Sequence, residues 1–232
     1  GAPDNDLTGF NNQGAVYLFW GAGGPGCPSQ PEYSLLYPYD NNARAGYSLS
    51  SSGDVDGDGL RDLAVGGYGV QRNGDTVGAA WLATSSYLAS LSSTGLSSSP
   101  TPQPLVGTGG NFTVRGSVHN GLFGRAVALV ADLQVDGRAG LLVGEPAGQA
   151  AGTEQSGGAW LYEFIIDDPA NYGLVADPIA SFGGENFRYN SYLGEQLGGC
   201  SIDGQPYGVI GGTRADGLST DAGAAYVVPL RR

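Results

Sequence analysis

The stretch GDVDGDGLRDLAVGG, residues 53–67, contains the two signals that decide the fold. Its first part places four carboxylates within nine residues, at Asp54, Asp56, Asp58 and Asp62. Its second part, residues 63–67, is a short apolar run without charge, which is typical of a buried strand. Carboxylates this close repel one another, so their crowding indicates that a cation lies among them.

The loop has the ligand spacing of a calcium site. Oxygen ligands at positions 1, 3 and 5, a glycine at 6 and a backbone carbonyl at 7 wrap Ca²⁺ in proteins, whereas Mg²⁺ keeps several waters. Zn²⁺ prefers His or Cys, and the single histidine, His119, is remote. Val65 stands where a helix-loop-helix site has its glutamate, so the flanking elements are strands. We predict calcium (Ca²⁺) bound by Asp54, Asp56, Asp58, the carbonyl of Leu60 and Asp62; the alternative is an acidic exposed turn.

Three sequence elements recur along the chain in one register. A glycine-led element occurs as GAP at 1–3, GGY at 66–68, GEP at 144–146 and GGT at 211–213, at intervals of 65, 78 and 67 residues. An aromatic strand follows each of them, starting at Gly14, Gly78, Gly158 and Gly223. A third element precedes the last three, starting at Ala45, Phe123 and Leu193. Each unit is therefore predicted to contain strand, polar turn, apolar strand, loop and aromatic strand.

Four short strands per unit of roughly 60 to 80 residues are typical of a propeller blade, since a small sheet must stack on its neighbours to bury its faces. We predict an all-β chain, residues 1–232, that forms one β-propeller or propeller segment with blades of about four antiparallel strands. The predicted parts are a half blade at 1–21 and blades at approximately 22–85, 86–165 and 166–232. Closed propellers usually have four to eight blades, so we expect the remaining blades on further sequence or on a second chain.

The equivalent loops of the later units have fewer carboxylates. The second loop keeps Asp132 and Asp136, but Gln134 replaces the middle ligand and Gly140 the last one. The third loop keeps only Asp203 and Gly204. We expect much weaker metal binding in the second loop and a simple tight turn in the third.

Composition agrees with a packed all-β chain. Glycine makes up 42 of 232 residues without a Gly-X-Y period, so helix should be scarce. The net charge is −12 and all ten basic residues are arginine, which argues against nucleic acid or an anionic membrane as a partner. No apolar run is long enough for direct membrane insertion. The Ser- and Pro-rich stretch 83–104 predicts an exposed connection.

Two further features are the aromatic residues of the repeated strand and the two cysteines. The aromatic residues of the repeated strand predict packing between blades rather than a sugar-binding surface; they are Tyr17, Phe19, Trp20, Trp81, Trp160, Tyr162 and Tyr226. Cys27 and Cys200 lie far apart in sequence. They can form one disulfide, pair with other segments or remain free.

The repeated residues resemble the FG-GAP repeat of integrin α-subunit propellers and their bacterial relatives. FG appears as Phe123 and Gly124, GAP is literal at 1–3, and the D-x-D-G-D-G-x-x-D loop is intact at 54–62. The resemblance covers essentially the whole chain. It implies a propeller with calcium in hairpin loops at one end of the blades, an extracellular location, and partner binding on the opposite face. Integrin propellers have more blades than this chain can build.

We expect a secreted or cell-surface, calcium-stabilised module that binds a protein or glycan, as in adhesion. Millimolar extracellular calcium would fill even a weak site. One alternative is self-assembly, as a subunit of an extracellular assembly or filament whose propeller is completed between chains, because the strand at 15–20 would otherwise have an unpaired edge.

The other alternative is a hydrolase or lyase. The residues that favour it are the carboxylate pairs Asp167 with Asp168 and Glu185 with Glu195, together with His119. The chain has no G-x-S-x-G element, metalloprotease helix motif or phosphate loop, and a histidine beside Asn-Gly is typical of a turn. We therefore predict that the protein is not an enzyme.

Overall fold

The computed structural model describes the chain in segments, and every structural statement below concerns these residues. They are 1–6, 9–19, 33–36, 41–92, 102–104, 111–116, 118–131, 133, 137–148, 156–165, 173–174, 178–183, 191–214 and 222–230.

The described chain is all-β with one short helix. Its elements are β1 (Ala15–Leu18), β2 (Tyr33–Leu36), β3 (Ser48–Ser50), β4 (Leu63–Gly67), β5 (Gln71–Arg72), β6 (Asp75–Thr76), β7 (Ala79–Ala83), α1 (Ser85–Ser92), β8 (Pro102–Pro104), β9 (Asn111–Arg115), β10 (Val127–Val130), β11 (Gly140–Gly144), β12 (Ala159–Tyr162), β13 (Phe164–Ile165), β14 (Gly173–Leu174), β15 (Ala180–Phe182), β16 (Leu193–Ile202), β17 (Gln205–Gly212) and β18 (Ala224–Pro229).

These strands form four main sheets and two small pairs. Sheet I has the order β1-β2-β8, sheet II β3-β4-β7-β9, sheet III β10-β11-β12-β15 and sheet IV β16-β17-β18, while β5-β6 and β13-β14 pair separately. All pairs are antiparallel except β2 with β8. None of these sheets closes into a barrel within the described chain. Sheets II and III have the four strands expected of a unit.

The outer strands shift the sheet limits relative to the predicted units. β9 completes sheet II although it lies after residue 85, and β15 completes sheet III although it lies after residue 165. The predicted limits were aligned on the three inner strands, and the fourth strand carries no repeated motif. The aromatic strand of the second full unit is also shifted by one residue. Its left-handed glycine is Gly157, with φ +77°, rather than Gly158.

One contact joins successive sheets and occurs three times. A residue at or shortly before the first strand of sheets II, III and IV forms an isolated bridge to a left-handed glycine next to the preceding sheet. The pairs are Ala45 with Gly14, Phe123 with Gly78 and Leu193 with Gly157. The glycine that follows the first residue of each pair lies against a carbonyl of the preceding sheet. A Cβ on Gly124 would lie 2.0 Å from the oxygen of Ala79, and a Cβ on Gly194 would lie 2.0 Å from that of Gly158. Successive sheets therefore stack in the same way.

The core lies between the sheets. Leu82 of sheet II packs with Leu129 and Leu141 of sheet III, and all three are at most 1% exposed. A second cluster surrounds Trp81, and a third joins Leu142 of sheet III to Ile210 of sheet IV. Because each cluster is shared by neighbouring sheets, no sheet buries its apolar face alone.

The repeated aromatic residues mostly contribute to this core. Trp81 and Tyr162 are buried, and Trp160 and Tyr226 pack against buried clusters. For Phe19 the prediction is wrong: β1 ends one residue earlier, and Phe19 is 50% exposed. Trp20 lies outside the described residues.

Part of the predicted connection at 83–104 is helical, and Ser86, Ala89 and Ser90 of this helix are exposed. Helix α1 begins after Thr84, whose Oγ1 accepts the Tyr87 N–H at 3.4 Å as an N-cap. Tyr87 and Leu88 pack against the Trp81 cluster, which explains why this segment is ordered.

Within the described chain, no helix has the length and apolar character that crossing a bilayer requires. Cys200 is exposed in β16 without a disulfide partner among the described residues, and Cys27 lies outside them.

Candidate metal centre

The acidic loop is the tip of the hairpin formed by β3 and β4. The Asp62 N–H donates to the carbonyl of Gly53 at 2.9 Å and closes its neck. Sheet III packs closely on this neck, since a Cβ on Gly53 would lie 2.4 Å from the Cβ of Ala139. The Ala139 N–H also donates to the carbonyl of Asp54 at 2.6 Å. The tip is therefore held by two neighbouring sheets.

Three of the predicted ligands come together at this tip. Asp54, Asp56 and Asp58 each offer a carboxylate oxygen, and these oxygens lie within 4.8 Å of one another. The cluster could hold a metal ion, and its donors are the hard oxygen ligands that Ca²⁺ and Mg²⁺ take.

Backbone N–H groups partly offset the crowded charge. Asp54 accepts the N–H of Gly57 and that of Gly59, each at 2.7 Å. Asp56 accepts the Asp58 N–H at 3.2 Å, and Asp58 accepts the Leu60 N–H at 2.8 Å. Gly57 and Gly59 have φ values of +79° and +84°, which the tight turn requires and which favour glycine.

Asp62 is placed differently from the other three carboxylates. It is 1% exposed, and its two oxygens accept the N–H groups of Val55 and Ser85, each at 2.7 Å. Burial raises the pKa of Asp62 to about 6, against the lowering effect of these two bonds. Asp62 thus fixes the base of the loop, and its role as a ligand stays a prediction.

The surroundings of Asp56 raise the pKa of its carboxyl group. Burial raises the pKa of Asp56, the backbone bond from Asp58 lowers it, and the charges of Asp58 and Asp54 raise it again. A bound cation would have the opposite effect on these carboxylates, because it favours their ionised form.

Sequence reasoning missed two residues at this site. The Ser85 hydroxyl donates to Oδ2 of Asp58 at 2.5 Å, so the start of α1 touches the tip as well as Asp62. The signal was present: Thr84 followed by Tyr87 and Leu88 is a helix start. The Arg138 side chain lies beside Gly57, since a Cβ there would be 3.4 Å from its Cδ.

The other positions considered in the sequence are Leu60 and the loops of the second and third units. Leu60 is 59% exposed at the tip, and coordination by its carbonyl stays a prediction. In the second unit, Asp132, Gln134 and Asp136 lie outside the described residues, and Leu133 fills the space beside Gly140, where a Cβ would lie 2.1 Å from its Cδ2. The tight turn of the third unit is confirmed: Asp203 and Gly204, with φ +50° and +71°, connect β16 to β17.

The opposite end of the sheets carries arginines stacked on tyrosines. The Arg125 guanidinium lies 5.1 Å from the ring centre of Tyr47 and 5.4 Å from that of Tyr68. Its Nη2 donates to Glu195 at 3.2 Å, and the Thr213 hydroxyl donates to the same carboxylate at 2.5 Å. These contacts tie sheets II, III and IV together at the end away from the acidic loop.

The residues considered for hydrolysis do not form a cluster in the described chain. His119 is an exposed turn residue that pairs with Asp75 at 3.2 Å. Glu195 is engaged by Arg125. Asp167, Asp168 and Glu185 lie outside the described residues.

Comparison of the chain with protein-family models and with curated protein sequences gives no match.

Proposed function

We propose that this chain is part of an extracellular β-propeller in which Ca²⁺, held at the acidic loop, stabilises the end of one blade, and which binds a protein or glycan. The observation that carries the proposal is the convergence of the Asp54, Asp56 and Asp58 oxygens at a hairpin tip. No histidine or cysteine stands among these donors, and oxygen-only sets of this kind suit Ca²⁺.

The repeated contact between sheets supports the propeller. A radial array requires that each small sheet packs on the next by the same operation. The bridges from Gly14 to Ala45, from Gly78 to Phe123 and from Gly157 to Leu193 have this property. Hairpin tips then lie at one end of the array, and the Arg125 network lies at the other.

Calcium links the loop to its neighbours in this proposal. The tip contacts α1 through Ser85 and sheet III through Ala139, so a cation that rigidifies the tip stabilises both contacts. Binding only to the folded state stabilises by mass action, by about 2.7 kcal/mol when the free ion is at about a hundred times its Kd.

Thermal unfolding with calcium and with excess chelator tests the calcium claim. We expect millimolar calcium to raise the Tm of the wild type, and Asp56→Asn to abolish most of this rise. Asp203→Asn is the matched control, because it removes one charge at the equivalent tip of the β16–β17 hairpin without a neighbouring cluster; it should retain the full rise. Equal responses of the two variants would overturn the calcium site.

Partner binding is tested at the end opposite the calcium loop. Tyr47 is 39% exposed there, and the arginines beside it offer donors to a carboxylate or a saccharide hydroxyl. Protein and glycan arrays probed with wild type and Tyr47→Ala identify ligands that need this end. Turnover of a bound glycan during the assay would favour a hydrolase instead.

Self-assembly is a second candidate, favoured by β18. Its counterparts β7 and β12 each pair with a fourth strand, whereas β18 pairs only with β17 within the described chain, and Val227 on it is 57% exposed. The mass of the native particle in solution distinguishes the two candidates, since assembly predicts a multiple of 23.6 kDa.

A further inference from the structure

Glu145 is a buried carboxyl group far from the acidic loop in sequence. It directly follows β11 and is 1% exposed. The Trp160 indole N–H donates to its Oε2 at 2.8 Å. Its other oxygen, Oε1, is also buried and has no hydrogen-bond partner within the described chain. An ionised carboxylate in this position is strongly disfavoured, because half of its charge would be neither solvated nor bonded.

Three glycines from two segments surround this carboxyl group. A Cβ on Gly121 would lie 2.5 Å from Oε1, and a Cβ on Gly116 would lie 3.2 Å from it. A Cβ on Gly148 would lie 2.5 Å from Oε2. Gly116 and Gly121 belong to the segment between sheets II and III, and Gly148 belongs to the loop after β11. The Ala147 N–H joins the two segments by donating to the Gly121 carbonyl at 3.0 Å.

The repeat shows that the fold of a unit does not require glutamate here. The equivalent positions are Ala2 in GAP, Gly67 in GGY and Gly212 in GGT. In sheet II the Trp81 ring occupies the space beside Gly67, where a Cβ would lie 2.8 Å from a ring carbon. Only this unit places a titratable group at the position, at the cost of burying it.

Among the described residues, no charged neighbour accounts for the raised pKa of Glu145. Burial raises the pKa of Glu145 to about 7, and the hydrogen bond from Trp160 opposes the rise. Charged or titratable side chains on the described segments near it are Arg115, His119, Arg125, Tyr162, Glu163, Tyr192 and Glu195. His119 pairs with Asp75, and Arg125 pairs with Glu195. None of these groups contributes to the shift of the Glu145 pKa.

We propose that Glu145 makes the contact of Gly116 and residues 118–121 with residues 145–148 dependent on a bound proton. With the proton, the side chain is neutral and stays packed among the glycines. Without it, the buried charge favours opening of the contact, so that water reaches Oε1. The contact is closed in mildly acidic solution and loosens as the pH rises through neutrality. This device is independent of the calcium site.

Amide exchange at Ala147 reports this contact directly. The measured quantity is the protection factor, which removes the intrinsic pH dependence of exchange. In the protein that keeps Glu145 it should fall by about tenfold between about pH 6 and about pH 8. Glu145→Gln keeps the size of the side chain and cannot ionise, so its protection factor should stay constant. Both proteins carry His119→Gln, so that neither contains a histidine. Constant protection in the protein that keeps Glu145, or an equal fall in both proteins, would overturn the proposal.

Carbon-13 NMR of glutamate carboxyls gives a second readout that needs no folded Glu145→Gln variant. The sequence has six glutamates, so the carboxyl signals are few. One of them should titrate near neutral pH, and Trp160→Phe should move its midpoint upward because the donor to the ionised form is lost. Titration of all six in the ordinary range of glutamate would overturn the proposal.

Discussion

The backbone N–H of Ser85 donates a 2.7 Å hydrogen bond to Oδ1 of Asp62, so the first residue of α1 is bonded to the last carboxylate of the acidic loop. Oδ2 of the same side chain accepts the Val55 N–H at 2.7 Å. The N-terminus of a helix carries partial positive charge, which stabilises a carboxylate placed there. Loop, strand β4 and helix thus form one hydrogen-bonded unit.

Asp62→Asn tests this unit. The amide presents an NH₂ group to one of the two buried N–H donors, so one donor loses its partner. We expect the free energy of unfolding to fall by about 2 kcal/mol in urea denaturation. Asp203→Asn, at an exposed turn, should change it by less than about 0.5 kcal/mol. Unchanged stability of Asp62→Asn would mean that these bonds do not hold the loop.

Gly124→Ala tests the repeated contact between sheets. The residue has φ +82°, and a Cβ would lie 2.0 Å from the Ala79 carbonyl oxygen. Gly137→Ala is the matched control, because Gly137 has φ +85° with no atom within 4 Å of a Cβ. We expect a loss of about 1 kcal/mol for the control, from the backbone conformation alone. Gly124→Ala should lose more than about 3 kcal/mol, and equal losses would contradict close packing of sheets II and III.

Arg125→Lys tests the network at the other end of the sheets. Lysine keeps the charge but cannot stack a planar group on Tyr47 and Tyr68 while it donates to Glu195. We expect a loss of about 1 kcal/mol in the free energy of unfolding. Arg72→Lys, on the exposed strand β5, should be neutral. A neutral Arg125→Lys would show that the stacking contributes nothing measurable.

The pH dependence of calcium stabilisation follows from the raised pKa values of Asp56 and Asp62. Burial is the largest cause for both, and it raises the pKa of Asp62 to about 6. In the metal-free protein, the neutral acid of Asp62 contributes stability below its unfolded pKa. This contribution, on the order of 3 kcal/mol, is lost as the pH rises through about 6.

Calcium binds the ionised carboxylates, so protons compete with it. The difference in unfolding free energy between the calcium-loaded and the metal-free protein should therefore grow between about pH 5 and about pH 7. Denaturation series at several pH values with and without calcium measure this difference. A constant difference over that range would contradict calcium binding at these carboxylates.

The repeat made much of the fold predictable. Residues 63–67 form the buried strand β4, and Gly46, Gly124 and Gly194, at the start of sheets II, III and IV, share one left-handed conformation. These features are local, because a left-handed glycine or an apolar run has the same consequence wherever it occurs. The outer strands β9 and β15 could not be predicted, for the opposite reason. Their position depends on pairing with β7 and β12, and no residue type in them marks it.

The site was predictable only in part. The spacing of Asp54, Asp56 and Asp58 sufficed to predict that their carboxylates converge. Asp62 was not distinguishable from them in the sequence, because its burial and its bonds to Val55 and Ser85 depend on where α1 begins. Glu145 was read only as a variant of a glycine-proline element. Its burial results from three glycines that come together through the packing of sheets II and III.

An electron-density map of crystals grown in millimolar calcium tests the central claim most directly. We predict a strong peak at the β3–β4 tip with oxygen neighbours of Asp54, Asp56 and Asp58 at about 2.3–2.6 Å. The peak should disappear in crystals of Asp56→Asn and persist in those of Asp203→Asn. A tip that contains only water-like density at that calcium concentration would contradict the account.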